Sequence, residues 1–185
     1  MKKILLPVVF LLLLGSSALA LSVAGVNVPP TVTLSGQSLH LNGAGVRSKF
    51  FVKVYVGALY ASRKLPTAAA IFADPGSKLI RMSFVHSRVA KEKILAAFAE
   101  GFSNNTPQLA GQPEAQDFFA LFKNDFVSGD TVDLALAGDG AVTVSHNGRM
   151  LGTIRSALLA RGLLAIYFGD APADKDLKVG MLGGE

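Results

Sequence analysis

The sequence contains no cysteine. That excludes a disulfide scaffold, a thiol nucleophile and any thiolate metal site, and leaves stability to an apolar core that a domain of this length can supply. Charge is also sparse: 18 basic and 13 acidic residues give a net +5, with no run of lysine and arginine interleaved with aromatics, so a nucleic-acid partner has no support. G-x-S-x-G, Walker-type and His-Glu-x-x-His motifs are missing. Gly43-Ala44-Gly45 is too short for a phosphate loop, and the carboxylates form no obvious catalytic pair. His40, His86 and His146 each stand alone on a predicted strand, without a His or carboxylate at metal-ligand spacing. No metal and no cofactor is therefore expected.

What is present begins with an export signature. Lys2 and Lys3 precede an apolar run from Ile4 to Leu14, which is broken only by Pro7, and Gly15 to Ala20 is a small-residue segment ending in Ala-x-Ala. This order predicts a cleavable signal peptide over residues 1–20, since the run is too short to span a bilayer. Removing it takes two of the five net charges and leaves one domain, 21–185. Nothing after Leu21 is apolar over a membrane-spanning length, so no membrane span is expected after cleavage.

Residues 31–34 read as a short strand between the break at Val28-Pro29-Pro30 and the turn at Ser35-Gly36-Gln37. A second strand, Ser38–Val46, runs into a glycine-rich kink at 43–45, and Phe50–Ala61, rich in β-branched and aromatic residues, is the strongest strand candidate. A short helix over 66–73 with Pro66 in its first turn precedes an alternating strand, Lys78–His86. Two amphipathic helices follow, one carrying Ile94, Leu95, Phe98 and Phe102, the other Phe118, Phe122 and Phe126 at every fourth position. A hairpin over 131–146, an Asn147-Gly148 tight turn and a last helix, Ser156–Tyr167, stopped at Gly169, complete the pattern. The tail beyond Asp170 is polar and glycine-rich and reads as loosely held. This order implies an α+β fold: an antiparallel sheet covered on one face by helices.

Arg47 and Tyr55 are the one chemically suggestive pair. A guanidinium holds a carboxylate through two parallel charge-assisted bonds, and a phenol adds a third donor. A continuous strand would put both residues on one face, whereas a hairpin turn near Ser48-Lys49 would put them on neighbouring strands. Either way they are candidate ligand-binding residues, and no catalytic residue stands out. The alternative is a surface arginine beside a core tyrosine.

The segments Asn42-Gly43-Ala44-Gly45-Val46-Arg47 and Phe51-Val52-Lys53-Val54-Tyr55-Val56-Gly57-Ala58-Leu59-Tyr60 resemble the signature of the chalcone isomerase-like family, in particular its bacterial exported members. Weaker similarity runs through Ala96-Ala97-Phe98 and Phe102 and returns over Leu158–Gly169. The resemblance implies an open-faced β-sandwich, a large antiparallel sheet with a helix layer on one face, over residues 21–185. It also implies periplasmic localisation. Plant chalcone isomerases use an arginine, a strand threonine, a tyrosine and asparagine near a helix, and a late serine or threonine. Arg47 matches the arginine and Tyr55 takes the threonine's place. Residues 103–112 offer Asn104 and Asn105 but no tyrosine, and the late hydroxyl falls near Arg149 or Met150. The arginine–tyrosine pair instead resembles the family's non-catalytic, fatty-acid-binding branch. The resemblance thus implies an exported binder of a fatty acid or similar apolar carboxylate. The alternatives are an intramolecular lyase acting on an apolar phenolic substrate, or an envelope assembly protein whose protein partner the sequence does not indicate.

Overall fold

The computed structural model describes residues 21–184, so the segment read as a signal peptide lies outside the described residues. The chain forms strands β1 (Leu21–Val23), β2 (Val26–Val28), β3 (Thr31–Leu34), β4 (Gln37–Lys49) and β5 (Val52–Ala61), then helix α1 (Ala68–Ala73) and β6 (Lys78–Phe84). A short strand β7 (Arg88–Val89) leads into α2 (Lys91–Asn105) and α3 (Pro113–Ala120). Strands β8 (Phe126–Val127), β9 (Thr131–Leu136), β10 (Ala141–His146) and β11 (Arg149–Arg155) precede α4 (Ala157–Phe168) and α5 (Lys175–Met181).

Seven strands make one antiparallel sheet in the order β11-β10-β9-β6-β5-β4-β3. Alternation sorts its side chains between two faces. Tyr55, Leu59, Ile80, Met82 and Phe84 join the larger apolar cluster with residues of α2, α3 and α4, while Val56, Ala58, Tyr60 and Leu79 join Val28 and Leu39 in a smaller cluster on the opposite face. The expected helix-covered α+β sheet is what the chain forms, and among the described residues the buried core runs from Val28 to Met181.

Three local expectations need correction. First, Gly43-Ala44-Gly45 is not a kink, because β4 runs through it, with only a register shift between Leu41 and Gly43. A β-carbon on Gly43 would meet the carbonyl oxygen of Gly180, and one on Gly45 would lie 2.9 Å from that of Leu177. These glycines form the flat seat of α5. Second, that helix replaces the loosely held tail. Leu177 and Met181 are buried, Asp174 caps it by accepting from Leu177 N–H at 3.0 Å, and buried Asn42 donates 2.8 Å to the Met181 carbonyl.

Third, Phe118, Phe122 and Phe126 do not share a helix, since α3 stops at Ala120. Asp125 accepts from Arg88 at 2.6 Å and from Lys91 N–H at 3.0 Å, which draws the chain off into the β7–β8 pair. The rings meet nonetheless: Phe98 lies edge-on to Phe118 at 5.0 Å, Phe118 to Phe122 at 5.3 Å, and Phe126 stacks on Phe84 at 4.5 Å. This cluster fills the space between helices and sheet as ordinary core.

Candidate ligand-binding site

Of the two arrangements open for Arg47 and Tyr55, the structure shows the second. They lie on β4 and β5 and are directly paired in register, with the connecting turn at Phe50-Phe51 rather than at Ser48-Lys49. The Arg47 guanidinium carbon is 5.9 Å from the centroid of the Tyr55 ring. Tyr55 is buried and its ring tilts against Phe84 at 5.6 Å. Arg47 is half-buried.

Both residues border a small cavity between the sheet and helices α2 and α4. Met82, Ile94, Ala97, Phe98 and Ile166 give it apolar walls, and Tyr167 of α4 contributes a second phenol. Tyr167 is the polar lining residue that sequence reasoning missed. It falls four residues after Leu163 on the buried stripe of α4, where only its hydroxyl sets it apart from ordinary core. The void measures about 10 Å³, roughly the space one water needs. Arg47, Tyr55 and Tyr167 give the void its polar groups, and packed core side chains fill the apolar space around it.

The electrostatics suit an anion. Burial works against the charge of Arg47, but the oxygens of Tyr55 and Tyr167 and the carboxylate of Asp174 outweigh it and hold the guanidinium's pKa above the ordinary arginine value. Among the described residues Arg47 forms no salt bridge. Asp174 is instead committed to α5 and to Ser48 N–H, which donates to it at 3.0 Å. Burial, followed by the neighbouring Tyr55, pushes the Tyr167 phenol well above its usual value. It is therefore a neutral hydrogen-bond donor at neutral pH and no base. One permanent cation and two phenols at the end of an apolar interior can hold one carboxylate by charge-assisted hydrogen bonds.

The other positions raised by comparison with the plant enzymes are elsewhere. Asn105 ties α2 to the loop after α4, donating to the carbonyls of Gly101 and Ala171 at 3.0 and 2.8 Å and accepting from Ala171 N–H. Asn104 lines a surface cleft with it. Arg149 and Met150 are exposed on β11, bordering another cleft. His146 faces Asp130 at 3.3 Å and packs on Phe126, remote in the sheet order from β4.

Comparison with known proteins bears on this site. A family model described as chalcone isomerase-like matches residues 20–183. Fatty-acid-binding protein 1 of Arabidopsis thaliana is 28% identical over 104 residues, a match that covers 54% of this chain but only 37% of that protein's length. The crystal structure of an A. thaliana fatty-acid binding protein superposes with a TM-score of 0.66 at 23% identity, covering 85% of this chain and 92% of the other. That likeness speaks to the fold alone.

Proposed function

We propose that this chain, which belongs to the chalcone isomerase-like family, binds a fatty acid or similar apolar carboxylate without transforming it. Arg47, Tyr55 and Tyr167 receive the carboxylate, and the tail lies between the sheet and the helix layer. The observation that carries the reading is the register pairing of Arg47 with Tyr55 at an apolar void, with no salt bridge to the guanidinium among the described residues. The curated relative's name supports the same ligand class. Each methylene buried contributes about 0.8 kcal/mol, so a long tail with one polar anchor suffices for binding. Because the void admits about one water, binding requires α2 and α4 side chains such as Phe98 and Ile166 to yield.

A binder rather than an isomerase is favoured because the positions corresponding to the plant enzymes' remaining polar groups do not converge on Arg47. General acid–base work needs a positioned group of suitable pKa, and Tyr167 is held neutral. Export to a periplasm, from the character of residues 1–20, is part of the same proposal. The test is mass spectrometry of lipids extracted from the purified protein. A co-purified apolar carboxylate that is lost in Arg47→Ala is expected. Absence of such a ligand, together with failure to take up any fatty acid offered, overturns the reading.

A further inference from the structure

We propose that the tip of the β4–β5 hairpin is a bilayer-docking element that seats the protein on an anionic membrane surface. The turn is made by Phe50 and Phe51 alone, between Lys49 and Val52, which pair across the two strands. Both phenylalanines have positive φ, 49° and 66°. A two-residue turn of this hand ordinarily takes Asn-Gly, because side chains with a β-carbon are disfavoured there. Their rings gain almost no cover from the fold in return: Phe50 is 86% exposed and Phe51 fully so. Val52 extends the apolar stretch at the surface. The most unfavourable turn chemistry in the sheet thus presents three consecutive apolar residues at the end of its longest strand pair.

The surroundings decide what covers this tip. Lys49 and Lys53 are exposed on its two shoulders, and the Lys49 ammonium lies 5.7 Å from the Phe50 ring centroid. Aromatic rings at an apex with ammonium groups one and two residues behind match the layering of an anionic lipid surface: acyl boundary inside, phosphates outside. A convex two-residue tip is too small for a stable protein–protein interface, which needs several hundred Å² on each side, whereas insertion into lipid needs only depth. The inference stands on the hairpin and does not require the ligand reading. Where both hold, Arg47, three residues before Phe50, belongs to the same hairpin that seats the protein on the bilayer from which an acid would be drawn.

The test uses the chain from Leu21 onward, which contains the buried core of the described residues and lacks the apolar 4–14 run that would itself enter lipid. Vesicles of phosphatidylcholine with phosphatidylglycerol, free of fatty acid, are sedimented with it. The wild type should co-sediment, less so as salt rises. Phe50→Asn with Phe51→Gly, which supplies the residues this turn favours, should lower the partition coefficient roughly tenfold while the unfolding midpoint holds or rises. Lys49→Glu with Lys53→Glu should also weaken binding. The chain has no tryptophan, so Phe51→Trp is a unique reporter whose emission should shift to the blue on the vesicles. Failure of the wild type to co-sediment, an Asn-Gly variant that binds equally well, or loss of a dimer as that variant's only effect would each overturn the proposal.

Discussion

Arg47 keeps its charge where burial opposes it, and the neighbouring oxygens that permit this are mostly neutral phenols. Among the described residues the guanidinium has no salt-bridge partner, and an incoming carboxylate would supply one. The guanidinium fork matters as well as the charge, because it presents two parallel donors. Arg47→Lys is therefore expected to weaken binding of a radiolabelled or fluorescent fatty acid by roughly tenfold, the scale of one charge-assisted hydrogen bond, while leaving the unfolding midpoint close to the wild type's. An unchanged affinity would remove Arg47 from the site. Tyr167→Phe deletes a donor and adds no bulk. It should weaken carboxylate binding and leave binding of an uncharged analogue alone, as measured in the same assay.

The seating of α5 on β4 is decided by backbone contact. A β-carbon on Gly43 would press on the Gly180 carbonyl, and one on Gly180 would lie 2.5 Å from that of Ala44. Gly43→Ala should cost about 1–3 kcal/mol in urea unfolding, as overfilled cores do, and should speed amide exchange across 175–181. Unaltered stability would mean that α5 is not held this way. The same element shows what was legible in the sequence. Strands and helices whose periodicity is local could be read directly, as could the Asn147-Gly148 turn, whose φ values are 51° and 76°. The α5 helix could not, because its seven residues are weakly patterned and its stability comes from glycines more than a hundred residues earlier. The Phe118–Phe122–Phe126 spacing misled for a related reason: three rings can share one core although an aspartate, Asp125, turns the chain between them. Arg47 and Tyr55 were legible as residue types, but their relation depended on where the hairpin turned. Tyr167 carried no local signal at all, since its role arises from what α4 is packed against.

Across the whole molecule several carboxylates are held ionised by the fold. Burial opposes ionisation of Asp74, but hydrogen bonds from Lys78, Arg63 and Gly76 N–H outweigh it and lower its pKa. Burial likewise opposes Asp130, where Asn147, Val127 N–H and His146 prevail. A carboxyl with a depressed folded pKa contributes stability that is present above its unfolded value, about 3.9, and lost as pH falls through the folded one. Chemical unfolding should therefore show stability steady from neutrality down to about pH 5 and falling below about pH 4, with Asp74→Asn flattening part of that fall; a profile unchanged by this substitution would contradict the assignment. At this same scale the fold places a cation at the polar end of an apolar interior, and the most direct test of that arrangement is calorimetric. A long-chain fatty acid and the alcohol of equal chain length are titrated into wild type and Arg47→Ala. The account predicts that the wild type prefers the acid by roughly tenfold or more and that Arg47→Ala binds both ligands alike, with its preference gone but its affinity for the alcohol retained. No binding of either ligand to the wild type, or an acid preference that survives in Arg47→Ala, would contradict it.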